Sequence, residues 1–81
     1  MSALGTFDGV RVLSVEGMQW SRFPEDGRPP RIGDVATVVD VLHVPGHPDG
    51  FECECVDEHG RTLWVETFHG ESLEPIAKDT R

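Results

Sequence analysis

The sequence has no tyrosine, only six aromatic residues, two cysteines, and seven Lys and Arg against fifteen Asp and Glu. The basic deficit leaves a formal charge of −8. Binding to a phosphate backbone relies on Lys and Arg to release counterions, so direct nucleic-acid binding is disfavoured. An anionic membrane surface would repel the chain for the same reason. No stretch reaches the ~18 consecutive apolar residues of a membrane-spanning helix. Residues 1–10 contain Asp8 and no Lys or Arg, unlike the charged start of a signal peptide. Cys53 and Cys55 are one residue apart, too close for an ordinary structural disulfide along an extended strand. These features lead to the expectation of a soluble, cytoplasmic protein. Without tyrosine, an aromatic groove for Pro-rich peptides is hard to build. No G-x-S-x-G, H-E-x-x-H or phosphate-binding loop occurs, so the expectation is a non-enzyme.

Helix signals are scarce as well. Apolar residues do not recur at three- and four-residue spacing over a long window, and nine Gly and six Pro are scattered through the chain. Eighty-one residues suit a single domain, 1–81, with its core at about 7–76 and flexible ends. What does recur is short β-branched runs between turn residues, an all-β pattern. The runs are 7–15, 34–44, 51–56, 61–68 and 72–76. The third alternates, setting Phe51, Cys53 and Cys55 on one face and Glu52 and Glu54 on the other. In the fourth, Leu63 and Val65 take the core face if Glu66 is exposed; Trp64, Glu66 and Phe68 then point outward, unless a bulge tucks Phe68 inside. Asp57-Glu58-His59-Gly60 is a turn signal, so 51–66 reads as a hairpin. His47-Pro48-Asp49-Gly50 is another. Segment 16–33 carries Pro24, Pro29, Pro30, Gly17 and Gly27 and reads as a long loop, a kind of segment usually tied to function.

A strand, a long loop, three strands joined by turns and a short closing strand resembles the order of a five-stranded SH3-like barrel. Gly33-Asp34-Val35-Ala36-Thr37-Val38-Val39 resembles the G-D-x-G-T-V-V entry to the second strand of SH3-like and KOW-type domains, with Ala36 in place of the usual glycine. Val56-Asp57-Glu58-His59-Gly60-Arg61-Thr62 and Leu73-Glu74-Pro75-Ile76 resemble two further segments of a family of small bacterial SH3-like (KOW-like) domains of unknown function. The resemblance spans 7–76 and implies a compact β-barrel, often in toxin–antitoxin or toxin–immunity loci. It supplies no catalytic residues.

Several constellations admit a functional and a plain reading. Cys53 and Cys55, with His59, His43 and His47, offer ligand types that zinc prefers, but C-x-C is not zinc-finger spacing, and the cysteines fall at core positions. No cofactor is expected. Cys55, Asp57 and His59 alternate like a nucleophile with its base, yet the turn begins at Asp57. Trp20 and Phe23 either cap an end of the barrel or anchor an interface. Trp64 poses the same question and, with Phe68, would make an apolar patch inviting a partner or a dimer mate. Glu52, Glu54, Asp57, Glu58 and Glu66, widened by Glu25, Asp26 and Asp49, form either a solvated face or a negative surface for a basic protein. The leading expectation is a protein-binding module, an immunity protein or antitoxin acting on a basic toxin. KOW-type nucleic-acid association and a metal-handling role are the alternatives.

Overall fold

β-branched and aromatic residues separated by Gly- and Pro-containing turns build five strands in a computed structural model, which describes residues 4–15 and 24–76. The strands are β1 (Gly9–Val12), β2 (Val35–Leu42), β3 (Gly50–Val56), β4 (Thr62–His69) and β5 (Leu73–Pro75), with one 3-10 turn at Gly70–Ser72. All pairings are antiparallel, in a single sheet of order β4-β3-β2-β1-β5. The all-β expectation holds, and each of the five runs overlaps one strand, β3 starting one residue earlier and β4 ending one residue later than expected. No helix among the described residues is long and apolar enough to cross a membrane.

The first run shortens at its start because Phe7 has φ of 74°, a backbone shape incompatible with a strand. Its N–H nevertheless donates to Val38 O, so the chain is already docked on β2 before β1 begins. The turn 57–60 closes as expected. Gly60 takes φ of 82°, and its N–H donates to Asp57 O at 2.9 Å.

Two irregularities in register decide which side chains face inward. In β2, Val38 pairs with Cys53 but Asp40 pairs with Glu52, leaving Val39 as an extra residue. The inward series therefore runs Ala36, Val38, Val41 rather than by strict alternation. In β4, Trp64 pairs with Cys55 while Thr62 pairs with Val56, so Leu63 is the extra residue.

The core joins Val10 and Val12 of β1, Ala36 and Val38 of β2, Phe51, Cys53 and Cys55 of β3, Trp64 and Phe68 of β4, and Leu73 of β5. The expected facing of β4 is thus reversed. Trp64 is 0% exposed and Phe68 is buried. Their rings lie 5.5 Å apart at 56°, a tilted packing that favours aromatic pairs. Leu63 and Val65 are only half-buried, and Glu66 shares the inner side by pairing with Cys53. One Glu66 carboxylate oxygen is closed to solvent.

The connection 24–34 is fastened to this core. Arg28 N–H donates to Leu63 O, a carbonyl turned out by the β4 bulge, at 3.1 Å. Gly27 passes so close that a Cβ there would come 2.2 Å from the same oxygen. Asp34 is the tie. Its carboxylate accepts two bonds from the Arg28 guanidinium at 2.8 and 3.0 Å, one from Arg31 N–H at 3.0 Å and one from Trp64 Nε1–H at 2.9 Å. Burial alone would push the Asp34 carboxyl up, but these bonds and the Arg28 charge outweigh it and hold it below the usual carboxylate range. The same pair raises Arg28, through its bond to Asp34.

Candidate protein-interaction face

The outer side of β2, β3 and β4 follows from the register. Thr37, Glu54 and Val65 form one row; Asp40, Glu52 and Thr67 the next; Leu42, Gly50 and His69 the third. Gly50 is open enough for its neighbours to lie over it, since a Cβ there would come 3.0 Å from Thr67 Cγ2 and 3.7 Å from Leu42 Cβ. The middle of this face is acidic. Asp40 stands directly opposite Glu52, and Glu54 follows two residues along the same side of β3. Like charges directly opposed across a strand pair destabilise a sheet. Glu54 is partly engaged, accepting the Thr62 hydroxyl at 2.5 Å. Among the described residues Asp40 accepts the N–H of its neighbour Val41, at 2.9 Å.

Other carboxylates foreseen for this surface have different positions. Asp57 is turn glue: it accepts His59 N–H at 2.8 Å and Arg61 N–H at 2.9 Å, and its other oxygen meets Arg61 Nε at 3.1 Å. Those bonds, the Arg61 N–H foremost, hold its carboxyl below the usual range. Glu58 is exposed beside His59, 3.4 Å from its ring. Glu25 and Asp26 are exposed in a turn closed by Gly27 N–H to Pro24 O at 2.7 Å. That turn sits at the Leu63 end of β4, next to Thr62 and its partner Glu54. Glu66 and Trp64 are not on this face, which corrects their assignment to it. The cause is the Leu63 bulge, which moves every later β4 residue to the opposite side from the one strict alternation assigns. Trp20 and Phe23 lie outside the described residues.

The metal candidates are not assembled together. Both thiols are buried on the inner side of β3, and Cys53 Sγ lies 3.4 Å from Phe51 O. Burial, then the Glu52 charge, pushes Cys53 up to about 12. Burial and the Asp34 charge raise Cys55, against the pull of Arg28. Thiols held protonated in this way are poor nucleophiles. His43 and His47 precede β3 and His59 follows it, roughly 20 Å apart for seven residues of strand. His59 meets Asp57 through its backbone N–H and not its ring, so the Cys55, Asp57 and His59 alternation creates no relay. Among the described residues no group of three or more His, Cys, Asp or Glu is arranged to hold a metal ion.

Asp40, His69 and Glu71 were not singled out in the sequence. Asp40 lies in a valine-rich run whose face is set by the Val39 bulge, and no local pattern marks such a bulge. His69 immediately precedes the 3-10 turn and Glu71 lies within it, beside the 43–49 connection. Compared with known proteins, the chain matches no family model, no curated protein and no solved structure.

Proposed function

We propose that the chain is an SH3-like barrel acting as a non-enzymatic protein-binding module, whose acidic β2–β3–β4 face receives a basic protein. The sheet order β4-β3-β2-β1-β5, the 3-10 turn between β4 and β5, and the link from β4 back to the start of β2 through Trp64 and Asp34 support the barrel reading. The observation that carries the binding reading is the Asp40–Glu52 pair. Two carboxylates face each other on an open sheet with no Lys or Arg in the three rows of that face. A cationic partner relieves that repulsion and is steered by the −8 charge. The toxin-neutralising role implied by the family resemblance fits this chemistry, the partner being a basic toxin bound in the cytoplasm.

The reading makes a double demand on one variant. Glu52→Gln stabilises the free protein by roughly 0.2–1 kcal/mol, measured by urea unfolding, because the opposed charge is gone. The gain shrinks in 1 M salt, where the Debye length falls to about 3 Å. The same substitution, combined with Asp40→Asn, weakens binding of the basic protein that wild type recovers in pull-downs from the native host. If that protein binds wild type and double variant equally at low salt, or no basic protein is recovered, the reading fails.

A further inference from the structure

Beyond the sheet face, an open groove of about 710 Å³ lies between the 43–49 connection and the 3-10 turn. Its lining is His47, Pro48, Asp49, Phe51, His69, Gly70 and Glu71. The volume falls in the roughly 300–1,000 Å³ range of sites that hold small ligands. We propose that this groove binds a short arginine- or lysine-bearing segment, with Asp49 and Glu71 taking the charge and Phe51 and Pro48 supporting the aliphatic stem. The proposal rests on the protein-binding reading above and supplies the site where a side chain of the basic partner inserts.

Three observations point to a cation. First, the lining contains two carboxylates and no Lys or Arg, so no permanent cation of the lining competes with a positive ligand. Second, the carboxylates differ in how they are held. Asp49 is oriented by His43, Nδ1 to Oδ1 at 2.5 Å, while exposed Glu71 forms no ion pair or hydrogen bond among the described residues. One wall is fixed and the other is free to close on a ligand. Third, the floor is built. Phe51 is largely buried but borders the groove, and a Cβ on Gly70 would come 3.3 Å from its Cε2. Glycine lets the 3-10 turn lie close on the ring and brings Glu71 to the rim. An apolar floor beneath carboxylate walls suits the mixed character of an Arg or Lys side chain, whose stem is apolar and whose head is charged. His69 belongs both to the groove and to the third row of the sheet face, so the two surfaces are continuous.

The test uses a blocked tripeptide, acetyl-Gly-Arg-Gly-amide, titrated into the isotope-labelled protein and followed by backbone amide shifts. Its citrulline counterpart, similar in shape but neutral, is the control. The expected result is saturable shifts at His47, Asp49, His69, Gly70 and Glu71 with the arginine peptide, and several-fold weaker binding of the citrulline peptide. Glu71→Gln weakens the arginine peptide roughly threefold to fivefold, whereas Asp40→Asn with Glu52→Gln leaves its affinity nearly unchanged. Asp49→Asn, which also loosens His43, gives an equal or larger loss. Shifts confined to the Asp40–Glu52 face, equal binding of both peptides, or the absence of saturable shifts would each overturn the groove. The broader reading fails separately, when the face variant still binds the recovered basic protein at wild-type strength.

Discussion

Two connections flank β2, and they use acidic residues in opposite ways. The one before it, 24–34, ends in an aspartate onto which two side chains and a backbone N–H converge. Pro30 is buried, Gly27 is pressed on Leu63, and Arg28 is bonded to a strand carbonyl. The connection after it, 43–49, is exposed along most of its length. Its described ties are the His43–Asp49 contact and His47 N–H to Val44 O at 3.0 Å. A carboxylate surrounded by donors becomes part of the scaffold, because its bonding capacity is used within the fold. A carboxylate on an open rim keeps that capacity for something else. Charge counting alone treats Asp34 and Glu71 alike, and their surroundings separate them.

Truncating one side chain that holds the first connection and one within the second separates the two most clearly. Trp64→Ala removes both the central core ring and a donor to Asp34, and should cost about 3–5 kcal/mol in urea unfolding. His47→Ala in the second connection should stay within about 0.5 kcal/mol. Comparable losses at the two positions would mean that the 43–49 connection carries structure hidden from its contacts. Gly27→Ala is next in size. The added methyl meets backbone oxygen, which cannot swing aside, so the first connection must lift from β4 at roughly 1–3 kcal/mol. Amide exchange at Arg28 should speed up more than exchange in the 43–49 segment.

Acid provides the gentlest probe. The folded carboxyl of Asp34 titrates below its unfolded value, so its stabilising contribution is present above the ordinary Asp range near 3.9. That contribution fades as pH falls through the folded pKa. Stability measured between pH 5 and pH 2 should therefore fall less steeply in Asp34→Asn than in wild type, from a lower starting point. Asp57→Asn should also flatten the slope, since its carboxyl is lowered by the turn N–H groups. An unchanged slope in Asp34→Asn would show that the Arg28 and Trp64 donors do not lower the folded carboxyl of Asp34.

The sequence displayed the strands more clearly than their faces. β3 was legible because Phe51, Cys53 and Cys55 alternate with glutamates along an unbulged stretch. β4 misled because Leu63 is an extra residue, and a single insertion exchanges inside for outside along the rest of the strand. The same effect hid Asp40 behind Val39. Asp34 was recognisable as the end of a turn, but its bond to Trp64 joins residues thirty positions apart, which no local pattern encodes. The acidic hairpin was visible as composition, while its opposed pair needed the cross-strand register.

The two cysteines occupy alternate positions of a single strand, both sealed on the same inner side. Their chemistry is therefore coupled to the fold as one event. An alkylating reagent has no route to either sulfur while β3 is covered, and whatever opening admits it to Cys53 also uncovers Cys55. Modified molecules should carry two adducts and not one, making this strand a built-in recorder of how often the whole sheet comes apart.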